Sequence, residues 1–152
     1  MDNPAMPVIT RQIGPCFAAE VEGVDMTKPL SPDDVAAIHA GMDMYAVLVF
    51  HDQRIDDEQQ LAFSRSLGEL EHAIGTSLRA PEEYRLPTTF ADVSEHATQR
   101  QFVYAHTWRV GDLVMWDNRR TMHRARPFPA HEPRDMRRTT LAGDQPTVTQ
   151  VA

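Results

Sequence analysis

The chain has 152 residues, with 15 lysines and arginines against 22 acidic side chains, which is the size of one ordinary domain carrying a net negative field. That field repels phosphate backbones and anionic membranes, so nucleic acid is not expected as a partner. A single cysteine, Cys16, excludes an internal disulfide, and the first residues lack a signal-peptide pattern while no apolar run reaches the roughly 18–20 residues that span a bilayer; a cytoplasmic chain with no membrane segment is expected.

Residues 8–24 hold short β-prone stretches broken by Gly14-Pro15 and Gly23, a pattern of strands and a turn. Ser31-Pro32-Asp33-Asp34 then places a capping serine before a proline at the first helical position, with two acids where the helix dipole favours them. A helix is predicted over 32–44, with Val35, Ile38 and Met42 on its apolar face. Residues 46–50, Ala-Val-Leu-Val-Phe, are continuously apolar and read as a buried strand. A second helix follows from Asp56-Asp57-Glu58, with Leu61, Phe63 and Leu67 on its apolar side and Gly68 at its end. The pattern weakens over 69–94, where a short strand is predicted at 88–93. A third helix at 95–100, a strand at 101–106, a turn at Gly111-Asp112, a strand at 113–116 and a final strand at 137–142 complete the chain. No internal repeat, low-complexity tract or domain boundary interrupts it.

Seven histidines invite a metal hypothesis. A non-haem iron triad needs two histidines and one carboxylate, with open positions for oxygen and a chelating cosubstrate. A His-x-Asp or His-x-Glu pair commonly supplies two of the three, yet the residues two places after the histidines are Gly41, Gln53, Ile74, Thr98, Trp108, Ala125 and Pro133. The pair is absent. Taken alone, His123 reads as a surface or hydrogen-bonded structural histidine. The arginines at 119, 120, 124, 126, 134, 137 and 138 read as a solvated or salt-bridged face. Trp116 is balanced between a core aromatic and packing against a cosubstrate site. Asp117 and Asn118 most simply shape the turn after the strand.

The densest pattern is Gly111-Asp112, Trp116-Asp117-Asn118 and His123-Arg124, followed by Arg134 and Arg138. With Gly23-Val24-Asp25, Leu48-Val49-Phe50, Gln53, Phe63 and Leu67-Gly68, it resembles the taurine / 2,4-dichlorophenoxyacetate dioxygenase family, and most closely the 2,4-dichlorophenoxyacetate-type branch. The resemblance implies an α+β, mainly β fold: a partial double-stranded β-helix of the jelly-roll, cupin-like kind with flanking helices. It implies an oxidoreductase that uses Fe(II) and 2-oxoglutarate to hydroxylate a small anionic molecule, of aryloxyalkanoate or sulfonate type, with molecular oxygen. By that resemblance His123 is the distal iron ligand, Arg134 binds the far carboxylate of 2-oxoglutarate and Arg138 holds the anionic group of the substrate. An arginine fork suits both anions, since it grips a carboxylate through parallel charge-assisted hydrogen bonds.

The chain is expected to form one incomplete domain, in which 1–94 resembles the family's N-terminal part and 95–152 its C-terminal part. Family members carry the central strands and the His-x-Asp pair between the counterparts of Ser94 and Glu95. Without them only one of three protein ligands to iron is present, and the alternative to the enzyme is a catalytically inactive remnant or weak anion-binding module. The same gap leaves sheet edges unpaired, which makes homo-oligomers a plausible state.

Overall fold

In a computed structural model, residues 7–71, 88–129, 131 and 135–143 are described. The fold is α+β: a four-stranded mixed sheet flanked by helices, forming a partial, open double-stranded β-helix. In chain order the elements are β1 (Ile9–Gln12), β2 (Ala19–Glu22), α1 (Pro32–Tyr45), β3 (Val47–Phe50), α2 (Asp57–Leu67), α3 (Thr88–Ala97), a 3-10 turn (Arg100–Phe102) and β4 (Leu113–Trp116). The strands lie side by side in the order β1-β2-β3-β4. β2 and β3 are parallel, joined by the α1 crossover, and the two outer pairings are antiparallel.

α1 begins as its sequence dictates. The Ser31 hydroxyl accepts from Asp34 N, and the Asp34 carboxylate accepts from Ser31 N at 3.0 Å, which satisfies two otherwise orphaned donors. The helix ends at Ala46, in the left-handed region with φ 58°, whose N–H reaches back to Met42 O. Gly41 lets α1 approach the sheet closely: a Cβ there would lie 3.1 Å from Thr10 Cγ2 and 3.4 Å from a Leu48 methyl. Replacing Ser31 by alanine is expected to cost about 1 kcal/mol, read as a lower urea midpoint at unchanged m-value.

The register assigns residues to the two faces of the sheet. Ala19, Leu48 and Met115 align across one face, as do Val21, Phe50 and Leu113. These side chains pack with Met26, Ile38, Phe63 and Leu67 from the flanking segments to make the core. The predicted strand over 46–50 therefore has its physical reason, since β3 is buried along its whole length.

Four sequence expectations change. Residues 88–93 open α3 rather than forming a strand. Phe90, Val93 and Ala97 recur at helical spacing, and a short apolar run does not separate the two periods. The helix predicted over 95–100 is the end of α3, followed by the 3-10 turn. Residues 103–106 join no ladder, although alternate residues from Gln101 to His106 are exposed and half-buried. In place of a strand over 137–142, a single antiparallel bridge joins Leu141 to Leu70. It is flanked by bonds from Glu71 N to Thr140 O and from Ala142 N to Glu69 O.

Candidate functional site

The second face of the sheet carries the polar chemistry. Alternation places Glu20 on β2, Val47 and Val49 on β3, and Val114 and Trp116 on β4 on the face opposite the core. His51 and Asp112, one residue beyond Phe50 and one before Leu113, continue this face.

Asp112 is the hub. Its side chain is 0% exposed, and three donors from two segments converge on it. His51 Nδ1 lies 2.6 Å from one carboxylate oxygen; His106 Nε2 and Arg109 N each lie 2.9 Å from the other. The wiring continues outward: Tyr104 Oη is 3.0 Å from His106 Nδ1, and His51 Nε2 is 3.3 Å from Glu20 Oε1, which also pairs with Arg11 through its other oxygen. The His51 and His106 rings stack 6.3 Å apart, and Trp108 meets His106 edge-on at 4.8 Å. Burial pushes the Asp112 carboxyl upward, but the hydrogen bonds from His51, Arg109 N and His106 outweigh it and hold the group below the usual carboxylate value. The hydrogen bond to Asp112 raises His51 above its usual value of 6.5; burial opposes this and Glu20 reinforces it. A cleft of about 400 Å³ opens beside His51, lined by Glu20, Glu22, Asp52 and Gln53 among others.

The second feature of this face is Trp116 with His123. The His123 ring is exposed and rests on the Trp116 indole, with centroids 4.8 Å apart and planes tilted by 48°. The indole N–H donates to Asn118 Oδ1 at 2.8 Å. The Asp117 carboxylate accepts from Arg119 N, and the Thr121 hydroxyl donates to Asp117 O. The turn that delivers His123 is thus built by Asp117 from local bonds, while Asn118 fixes the tryptophan.

Arg138 is exposed and has no hydrogen bond or ion pair among the described residues; Arg137 beside it pairs with Asp57 and Asp135. Arg134 and His72 lie outside the described residues. His106 bonds to Asp112 and not to His123.

The model of the "Taurine catabolism dioxygenase TauD, TfdA family" matches residues 9–85 and 78–140. The chain belongs to this family. Among curated relatives, the alpha-ketoglutarate-dependent 2,4-dichlorophenoxyacetate dioxygenase of Cupriavidus pinatubonensis (strain JMP 134 / LMG 1197) is 56% identical over 54 residues, 36% of this chain and 19% of the relative. The (S)-phenoxypropionate/alpha-ketoglutarate-dioxygenase of Sphingobium herbicidovorans is 36% identical over 86 residues, 57% of this chain and 29% of the relative. The chain thus spans less than a third of the length of these curated relatives. The crystal structure of AAD-2 in complex with Mn(II) and N-oxalylglycine superposes with a TM-score of 0.80 at 28% identity, covering 93% of this chain and 100% of that one.

Family membership brings an association with Fe(II) and 2-oxoglutarate, which the described residues fit poorly. No three of His, Cys, Asp or Glu converge as metal ligands among them. The one His–Asp–His combination has its carboxylate between the imidazoles, so the atoms that would face a metal face each other. This hub was missed by sequence reasoning, which took Gly111-Asp112 as a turn. One signal was available: Asp112 lies in phase with Val114 and Trp116, so an acid occupied a face position of the late strand.

Proposed function

We propose that the described part of this dioxygenase-family chain works as a weak anion-binding module that takes small carboxylates or sulfonates and does not by itself complete an iron site. The observation that carries this is the setting of His123 among the described residues: its one ring contact there is with Trp116, while His51 and His106 are engaged by Asp112. A lone imidazole holds Fe(II) weakly and cannot impose the facial geometry that the family's chemistry needs. Arg138 supplies a guanidinium without a partner among the described residues, and the family resemblance implies a second at Arg134. Each charge-assisted hydrogen bond to an anion contributes about 1.5–3 kcal/mol, enough for binding on the order of millimolar once ordering costs are met.

A second function, hydroxylation of an aryloxyalkanoate- or sulfonate-type substrate with Fe(II), 2-oxoglutarate and oxygen, is favoured by one observation. A chain covered over its full length at TM-score 0.80 was crystallised with Mn(II) and N-oxalylglycine. In that case His123 is a metal ligand, Arg134 holds 2-oxoglutarate and Arg138 holds the substrate.

Anaerobic titration with Fe(II) and 2-oxoglutarate separates the two. The module is expected to show no visible charge-transfer band, while calorimetry without metal detects 2-oxoglutarate or phenoxyacetate binding that Arg138→Ala weakens about tenfold or more. A saturable band abolished by His123→Ala would show instead that an iron site including His123 forms, as the second function requires.

A further inference from the structure

Residues 103–109 run from the 3-10 turn to the bend before β4 without joining the sheet. They are held across its second face through His106 and the backbone of Arg109, both bonded to Asp112. We propose that this segment is a strap whose attachment to the sheet is set by the protonation of His51.

The geometry fixes which protonation state closes the strap. His51 has a carboxylate at each ring nitrogen, Asp112 at Nδ1 and Glu20 at Nε2. A carboxylate only accepts, so both contacts are hydrogen bonds only when both nitrogens carry protons. In the cationic form the chain of donors is complete. Tyr104 O–H donates to His106 Nδ1, His106 Nε2–H donates to Asp112, and His51 donates to Asp112 and Glu20. Loss of one proton turns a ring nitrogen's lone pair toward a carboxylate. If that nitrogen is Nδ1, the buried Asp112 loses its charge partner; if it is Nε2, the repulsion falls at Glu20.

The charged and titratable groups facing this histidine come from every neighbouring element. They are Arg11 on β1, through its pair with Glu20, Glu20 and Glu22 on β2, Asp52 after β3, Asp112 before β4, and Tyr104 and His106 on the strap. The balance is acidic, which favours the imidazolium. Because His51 is raised on folding, its contribution is full below its ordinary value and is lost as pH rises through the raised one. The opposite limb belongs to Asp112: it is held low, so its contribution is lost as pH falls through that lowered value.

The test is amide hydrogen exchange of the full chain between pH 6 and 9.5, corrected for intrinsic rates, with far-UV circular dichroism followed in parallel. Protection over 103–112 is expected to fall at least tenfold in one step above pH 6.5, more than any fall in β3, α1 and α2, while the dichroism is unchanged. His51→Gln is expected to abolish the step. Should that variant not fold, Glu20→Gln, which removes the outer negative charge and leaves an acceptor oxygen, is expected to move the step to lower pH. A step that survives His51→Gln, one unmoved by Glu20→Gln, no step at all, or loss of protection across the whole chain at once overturns the proposal.

Discussion

Replacing Asp112 by alanine is expected to lower the stability of the chain by about 3–5 kcal/mol, because removing the buried carboxylate leaves two part-buried imidazoles and the Arg109 N–H without their shared acceptor. Three donors would be orphaned together: His51 Nδ1, His106 Nε2 and Arg109 N. The loss is comparable to much of the 5–15 kcal/mol that holds a typical domain folded. Urea unfolding reads it directly, and the variant carries a second expected result. The wild-type stability should decline toward acid as Asp112 is protonated and toward alkali as His51 loses its proton, whereas Asp112→Ala should flatten the acid decline and weaken the alkaline one. A loss under 1 kcal/mol with the pH profile intact would mean that the three donors find water as readily as they find the carboxylate.

Phe50→Ala is the matching experiment on the other face. Phe50 is fully buried and meets Phe63 edge-on, with centroids 5.8 Å apart and planes at 77°. Truncation removes the ring from the centre of the core and leaves a cavity between β3 and α2, at an expected cost of about 3–5 kcal/mol. No titratable group takes part, so this loss should be the same at pH 6 and pH 8. Comparing the two variants across pH separates the apolar and polar faces of one sheet: similar losses at neutrality, with only Asp112→Ala changing the shape of the curve. A Phe50→Ala loss that varies strongly with pH would show that the two faces are coupled through β3.

The elements that sequence alone located are those whose signals are local. Ser31 to Asp34 carry a capping serine, a proline and first-turn acids, Asp56 to Glu58 put acids at the next helix start, and Val47 to Phe50 carry an apolar run suited to a strand buried on both faces. Where the deciding partner is distant, the sequence is silent. Gln101 to His106 alternate as a strand does, yet Tyr104 and His106 meet a histidine–aspartate network, and Phe102 meets His96, instead of a ladder partner. The site divides in the same way. His123 and Arg138 stand out through a motif, whereas His51 and Asp112 are 61 positions apart and become partners only through the β3–β4 register. Nothing in their immediate neighbours announces a contact between them.

The mixed sheet also bears on how quickly the chain reaches this arrangement. β1, α1 and β3 are all close in sequence to β2, so the contacts among them close short loops. β4 joins β3 from about 60 positions downstream, and the entropy of closing that long loop must be met before the register yields any contact. Strand addition at this edge is therefore expected to set the folding rate, and substitutions in β4 that strengthen its pairing should act mainly on the rate of folding. The histidine–aspartate network, which exists only once β4 has docked, then belongs to the last part of the molecule to be assembled.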